Sequence, residues 1–286
     1  MNKKLLGLFP NMQKEKVRES LPLVIKLCKK HGFSPVLPLT TDQNGYNLND
    51  EATMRDFCAA LSIGGDGTFL HMSHYLAPLQ IPVFGVNFGR LGFLAETELQ
   101  DLGGALEKLA QNAYEIEYRS RLEARVMREG HDDIICSALN DIVVAKGRLS
   151  KLTHFSLEIN HKLSAEYAAD GIIIATATGS TAYSLSAGGP LVHPSLDVSI
   201  ITPICAHTLY TRPLLIPIDR LIELKPITNN EELLLSADGE IVTPIYANDR
   251  ILISKSKNSV LYIRFNGLNY YETWQQKLMR DFRANC

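Results

Sequence analysis

Apolar residues in the first 110 positions switch repeatedly between two spacings. Leu5 to Leu8 ("LLGL") is a short apolar run, after which Val17, Leu21, Val24, Ile25 and Cys28 recur at three- and four-residue steps. The run predicts a buried strand and the stepping predicts an amphipathic helix, which Gly32 ends. The alternation then repeats. "FSPVLPL" is extended, residues 57–63 form another apolar strand, and a helix is expected from about Thr68. "IPVFGVN" gives the next strand and "ELQDLGGALEKLA" a helix weakened by its two glycines. Strands and helices alternating at this spacing predict a parallel sheet with helices on both faces.

The pattern changes near residue 120. From Leu122 to Phe265 the apolar residues fall in short extended segments: "LEARVMRE", "IICSALNDIVV", "HFSLEIN", "GIIIATAT", "LLLSADGEIVTPI", "ILISKS" and "VLYIRF". Turn signals such as Asn160-His161 and Asp238-Gly239 separate them. This predicts a mainly antiparallel, all-β domain. The tail, "YYETWQQKLMRDFRANC", is helical in pattern and is expected to pack back on the first domain. The expected organisation is an α/β domain of residues 1–119 plus 268–286 and an all-β domain of residues 120–267.

Composition narrows the partners. The 286 residues are 45% hydrophobic and 21% charged with a formal net charge of −2, so there is no global basic field to attract nucleic acid. Cys28, Cys58, Cys136, Cys205 and Cys286 are an odd number with no CxxC pair. They suit neither a disulfide framework nor a zinc site, and point to a reducing cytoplasm. "MNKKLLGLFP" has too short an apolar stretch for a signal peptide, and no run reaches the roughly 18 apolar residues of a membrane span.

The chemistry concentrates in "SIGGDGTFLH", Ser62 to His71. Gly64, Gly65 and Gly67 let a ligand come close to the backbone, and a helix starting at Thr68 would aim free N–H groups at an anion. Asp66 would repel a phosphate unless it had its own task. It could hold the Mg²⁺ that bridges phosphates, or accept the proton of an attacking hydroxyl. His71, one helical turn past Thr68, could point back to the same loop. In "LNDIVV", Asn140 and Asp141 offer an amide and a carboxylate at adjacent positions, able to chelate neighbouring ribose hydroxyls or simply to shape a hairpin turn. In "ADGIIIATATGSTAYSLSAGGPLVHP", Thr176, Thr178, Ser180, Thr181, Ser184 and Ser186 supply donors without bulk, and Tyr183 offers a face on which a base could stack. The same hydroxyls would also suit a structural loop.

"GGDGT" resembles the loop of a kinase superfamily that includes NAD kinases, lipid kinases and, with a small change, phosphofructokinases. Together with "NFGRLGFL", "NDIVV", "DGIIIATATGSTAYSLSAGGP", and His207 to Leu209 followed by Arg212-Pro213, it is similar to the NAD kinase family, in family order. The resemblance implies an α/β domain joined to a β-sandwich-like domain, an active site between them, and assembly as a homodimer or homotetramer. It implies transfer of the ATP γ-phosphoryl group, with Mg²⁺ or another divalent cation, to the 2′-hydroxyl of the adenosine ribose of NAD⁺.

Carried onto this chain, Asp66 would be the general base with Gly67 beside it, and Gly64, Gly65 and Thr68 would approach the ATP phosphates. Asn140 and Asp141 would hold ribose and adenine-side groups, and Asp170 would face the nicotinamide end. Thr181, Ala182, Tyr183, Ser184, Leu185 and Ser186 would wrap the adenosine, with His71 as a further NAD contact. Three positions depart from the family pattern. Ala168 stands where a basic residue is common, so that Lys151 or Lys162 would supply the charge; Ala177 stands where Pro is common; and Glu240 follows Asp238-Gly239 where Gln is common. A lipid or sugar kinase and a non-catalytic nucleotide sensor are the other classes compatible with the loop.

Overall fold

Leu6, Leu8, Ala59, Leu61, Ile63, Phe84 and Val86 form the spine of the first core, and all are buried. They lie on three neighbouring parallel strands, β1 (Lys4–Pro10), β3 (Phe57–Gly64) and β4 (Val83–Asn87), with β2 (Phe33–Val36) on the far side of β1. The computed structural model describes residues 4–37, 51–89, 92–95, 97–147, 153–207, 211–227, 233–265 and 270–283. The chain divides into two units, Met1–Tyr118 with Val260–Cys286, and Arg119–Ser259.

In the first unit α1 (Glu15–Lys30) follows β1 and buries Val17, Val24 and Cys28 against the sheet. Gly32 ends it at φ +85°, a left-handed conformation that suits glycine. α2 (Glu51–Arg55) precedes β3, and α3 (Asp66–Leu76) follows it. The helix expected from Thr68 therefore begins two residues earlier, with extended Gly65 as its N-cap. β5 (Thr97–Glu98) pairs with β4, and a single 3₁₀ turn leads into α4 (Leu102–Ala110). α4 forms despite Gly103 and Gly104 because Leu102, Leu106 and Leu109 bury one stripe. β6 (Glu115–Arg119) closes one end of the sheet.

The second unit is two six-stranded sheets around a shared apolar core that includes Leu122, Phe155, Ile172, Leu224, Leu235 and Ile253. Its strands are β7 (Leu122–Met127), β8 (Ile134–Ala138), β9 (Asp141–Lys146), β10 (Thr153–Ile159), β11 (Lys162–Ala169) and β12 (Gly171–Thr176). Helix α5 (Tyr183–Ser186) follows, then β13 (Val198–Ile204), β14 (Leu214–Pro217) and β15 (Ile222–Pro226). The hairpin β16 (Leu233–Ala237) and β17 (Glu240–Ile245) and the strand β18 (Arg250–Lys255) complete it. One sheet runs β11-β10-β15-β18-β7-β8 and the other β14-β13-β12-β9-β16-β17. The central strands of the latter are apolar on both faces. Ile172 and Ile174 enter the shared core, whereas Val143, Ile173, Ala175 and Ile200 pack under Ala177 and Val192. The hydroxyl-rich segment thus lies on a buried platform.

Two expectations are corrected. "VLYIRF" was expected within the all-β region, yet β19 (Val260–Arg264) joins the first unit's sheet, Tyr262 opposite Val83 of β4 in parallel. Its run is buried along most of its length, and such a run does not reveal which sheet will take it. "IICSALNDIVV" is two strands, broken at Leu139-Asn140. The terminal helix α6 (Tyr270–Arg283) packs back on the first unit, where the Tyr270 hydroxyl donates to Glu117 at 2.8 Å. No helix among the described residues is long and apolar enough to cross a membrane.

Candidate active site

In the first unit the strand order β2-β1-β3-β4 reverses direction between β1 and β3. Ligands of open α/β sheets bind outside the carboxyl ends of the strands at such a switch point. The turns that leave β1 and β3 are Asn11–Lys14 and the glycine turn. They are tied together, the Asn11 N–H donating to the Ile63 carbonyl at 2.9 Å. Gly64 is required by packing: a Cβ there would lie 2.8 Å from Thr68 Cβ. Thr68 is 7% exposed, and its Oγ1 accepts from Asn11 Nδ2 at 3.3 Å. It therefore braces the turn from inside, while the first-turn N–H groups of α3 lack intrahelical acceptors. A Cβ built on Gly65 or on Gly89 would in each case meet Lys14 Nζ at 3.4 Å. The ammonium of Lys14 thus lies over both glycines, a cation that local spacing did not reveal.

Asp66 occupies the first turn of α3, where the helix dipole favours an acid. Its carboxylate gathers three consecutive backbone N–H groups, from Phe93 to Oδ2 at 2.6 Å and from Leu94 and Ala95 to Oδ1 at 3.0 and 3.1 Å. Gly92 makes this possible, since a Cβ there would stand 2.5 Å from Asp66 Cγ. Tyr262 Oη donates to the Leu94 carbonyl at 2.8 Å, and Lys277 of α6 donates to the Gly92 carbonyl. His71 lies five residues along the same helix, about 140° round its axis from Asp66, with its ring edge-on to Tyr75 at 5.2 Å.

In the second unit Asn140 and Asp141 sit where β9 begins, beside the end of β12. The Thr176 N–H donates to the Asn140 carbonyl at 2.9 Å, and Thr176 Oγ1 donates to the Leu139 carbonyl at 2.6 Å. Gly179 packs on the same carbonyl so closely that a Cβ would lie 2.5 Å from the Asn140 carbonyl carbon. From the other side Asp238 accepts the N–H groups of Leu139, Asn140 and Asp141 at 2.8, 2.7 and 3.2 Å. Asn140 is half-buried, while Asp141 is 4% exposed.

Burial pushes the Asp141 carboxyl up to about 7; the neighbouring Asp238 charge adds to the rise and the Tyr183 backbone N–H opposes it. The folded state therefore holds this proton more tightly than the unfolded chain. Its contribution to stability is full below about pH 4 and is lost as pH rises through about 7. Asp141→Asn is expected to gain melting temperature relative to the native chain as pH rises across that window. Thermal melts at about pH 5 and pH 8 check this, and a difference that does not vary with pH would remove Asp141 as the titrating group.

Around α5 the side chains divide by direction. Tyr183 is 46% exposed and Ser186 is exposed, with Thr181, Ala182 and Leu185 half-buried. The Ser184 side chain is fully buried, and its Oγ shares a hydrogen bond with Thr202 Oγ1 at 2.9 Å. Successive residues of a short helical turn cannot all face outward. Asp170 pairs with Lys146 at 2.6 Å. Lys146 thus places an ammonium beside Asp170, in addition to the Lys151 and Lys162 named from sequence. Lys162 lies at the opposite end of β11 from Ala168, and Lys151 is outside the described residues. Glu240 is exposed at the start of β17.

The ATP-NAD kinase N-terminal domain matches residues 9–114 and the ATP-NAD kinase C-terminal domain matches residues 139–265. The chain belongs to the NAD kinase family. Among its relatives, the NAD kinase of Thermoanaerobacter sp. (strain X514) is 38% identical over 281 residues, covering 96% of this chain and 99% of that protein. The NAD kinase of Magnetococcus marinus is 41% identical over 216 residues, covering 76% and 71%. The fold is similar to that of yeast NADH kinase complexed with NADH, with a TM-score of 0.86 at 24% identity over 96% of this chain and 87% of that one. An NAD kinase from Archaeoglobus fulgidus in complex with ATP gives a TM-score of 0.74 at 23% identity, covering 96% and 98%. Within this NAD kinase fold, Lys14, Lys146 and Asp238 are the site-side residues that sequence reasoning missed. Each is brought in by a loop or strand pairing that local spacing does not encode.

Proposed function

We propose that this chain transfers the γ-phosphoryl group of Mg-ATP to the 2′-hydroxyl of the adenosine ribose of NAD⁺, with Asp66 as general base. The observation that carries the reading is the glycine turn at the sheet's switch point, with an acid in the first turn of the helix and a lysine over it. Gly64, Gly65 and Gly67 let the donor phosphates approach the α3 N–H groups, and Lys14 neutralises their charge. Mg²⁺ enters on the ATP. There the ion is held mainly by nucleotide phosphates and one or two carboxylates at most.

Asp66 Oδ2 accepts one backbone N–H where Oδ1 accepts two. A carboxylate has about four acceptor sites, so Oδ2 keeps a lone pair for the hydroxyl proton. Phosphoryl transfer passes through a loose transition state, so the base need only orient the hydroxyl and take its proton late. Asn140 and Asp141 hold the ribose hydroxyls, exposed Tyr183 stacks on the base, and Asp170 with Lys146 faces the nicotinamide end. The reading includes a cytoplasmic location and a homodimer or homotetramer; light scattering of the purified chain measures the latter.

Incubating the protein with Mg-ATP and NAD⁺ and following product mass is expected to show a gain of one phosphoryl group on NAD⁺. No such gain, with diacylglycerol or fructose 6-phosphate phosphorylated instead, would overturn the substrate. Asn140→Ala is expected to raise KM for NAD⁺ about tenfold, the worth of one or two ligand hydrogen bonds, with a smaller change in kcat. An unchanged KM removes the ribose contact.

A further inference from the structure

The Asp238-Gly239 turn is a two-residue hairpin joining β16 to β17, with Ala237 opposite Glu240. Both turn residues take positive φ, +49° for Asp238 and +86° for Gly239. Asn-Gly serves such a turn as readily as Asp-Gly. The turn itself therefore does not call for an acid. The carboxylate is explained by what it touches, a segment 99 positions away in sequence. Although the residue as a whole is half-buried, its carboxylate is turned inward onto three successive N–H groups. Its own N–H donates to the Asp141 carbonyl at 3.0 Å. An asparagine would hold the segment less completely, because one of its two ends donates and would face the Leu139 N–H or the other two.

We propose that Asp238 is a positioning residue for the dinucleotide, fixing the Leu139–Asp141 backbone so that the Asn140 amide and the Asp141 carboxylate meet the ribose in one geometry. The proposal rests on the reading of Asn140 and Asp141 as NAD contacts. The segment is held on opposite edges. Its N–H groups go to Asp238, and its Leu139 and Asn140 carbonyls go to the hydroxyl and N–H of Thr176. Neither hold is local in sequence, so the shape of the turn is imposed from outside it.

The same contact couples position to charge. Asp141 faces Asp238 from the β16–β17 turn and the Tyr183 N–H from α5. Asp238 faces Arg121, which precedes β7, and Cys136 of β8, and the charge of Glu123 acts on both of these groups as well. Burial raises the Asp238 carboxyl, and the three N–H groups and Arg121 pull it back down. Its charge in turn is one of the two causes that raise Asp141. Removing that charge lowers the pH at which Asp141 ionises, so the pH profile of NAD⁺ use must move with it.

The test uses the full chain and four proteins: native, Asp238→Asn, Asn140→Ala and the double variant. KM for NAD⁺, KM for ATP and kcat are measured from about pH 5.5 to 8.5, bracketing the Asp141 ionisation, alongside thermal melts. Asp238→Asn is expected to raise KM for NAD⁺ about tenfold, to leave KM for ATP and kcat within about twofold, and to shift the midpoint of kcat/KM for NAD⁺ to lower pH. In the Asn140→Ala background the same change should raise KM by clearly less than tenfold, because the amide contact is already gone and only the Asp141 contact remains to be displaced.

A KM for NAD⁺ and a midpoint that both stay native in Asp238→Asn overturn the proposal, as do fully additive effects in the double variant. If Asn140→Ala alone leaves KM unchanged, the reading of the site fails first. If Asn140→Ala raises KM and Asp238→Asn does not, only the positioning role fails. Asp238→Glu covers the case in which the asparagine variant does not fold. It keeps the charge but displaces the carboxylate by one methylene, and is expected to keep the midpoint while raising KM. A native KM in that variant overturns the role.

Discussion

Replacing Asp66 by asparagine is expected to lower kcat about 10²- to 10⁴-fold, the usual contribution of a general base, with the fold intact. The substitution is isosteric and keeps one acceptor, enough for the Leu94 and Ala95 N–H groups that now reach Oδ1. What it loses is the Oδ2 acceptor, which takes the Phe93 N–H and is the oxygen assigned to the hydroxyl proton. The Gly92–Ala95 turn is held independently by Tyr262 and Lys277, so its collapse is not expected. Losing one charge-assisted hydrogen bond costs about 1.5–3 kcal/mol of stability, which a thermal melt will register as a modest drop. Steady-state kinetics with NAD⁺ and Mg-ATP give the decisive number. Near-native turnover would leave Asp66 as the clamp of that turn and nothing more.

Gly179→Ala is the second large effect expected, and it acts through backbone alone. The new Cβ would stand 2.5 Å from the Asn140 carbonyl carbon, a separation no packed structure accepts, and the obstructing atoms are main chain. Either Asn140 or the Thr178–Thr181 turn must move. The Gly179 N–H donates to Thr176 Oγ1 at 3.0 Å, and that hydroxyl holds the Leu139 carbonyl, so any movement is passed to Asn140 and Asp141, the residues proposed to hold the ribose. Overpacking of this kind costs about 1–3 kcal/mol; KM for NAD⁺ should rise at least tenfold, with KM for ATP much less affected. Gly104→Ala is the control. Nothing lies within 4 Å of its Cβ, and alanine in the interior of α4 is expected to leave stability unchanged or raise it by about 0.5–1 kcal/mol. Equal losses from both would show that the site tolerates Gly179→Ala no worse than any glycine change.

The sequence was most legible where one element carries its own explanation. The three- and four-residue steps of α1 and the apolar runs of β1, β3 and β4 give their structure directly. The glycine turn stood out because three glycines cluster where a strand gives way to a helix. The β11 and β13 segments were not singled out. β11 reads "KLSAEYAA", with an exposed polar half, and β13 is an apolar run that contains Pro203. For β19, spacing gave the type of element but not its neighbour.

The site was partly legible for the same reason. Asp66, Asn140 and Asp141 were visible as chemistry, but the groups that hold them were not. Lys14 reaches Gly65 across the sheet's switch point, Lys146 reaches Asp170 across a strand pair, and Asp238 reaches Asn140 from the β16–β17 hairpin. No window of adjacent residues contains such information. Counting hydroxyls does not tell which of them a helical turn buries, as it does the Ser184 side chain.

Each unit thus ends a key strand with the same device, one carboxylate filling the concavity formed by three successive N–H groups, Asp66 over Phe93–Ala95 and Asp238 over Leu139–Asp141. Such a loop does not own its conformation. Transplanting "LNDIVV" into another β scaffold would carry the ligand-facing atoms and leave behind the mould that shapes them. A chimera that exchanges this segment with a relative must exchange the Asp-Gly hairpin along with it, and the "GGDGT" turn must travel with "GFLA".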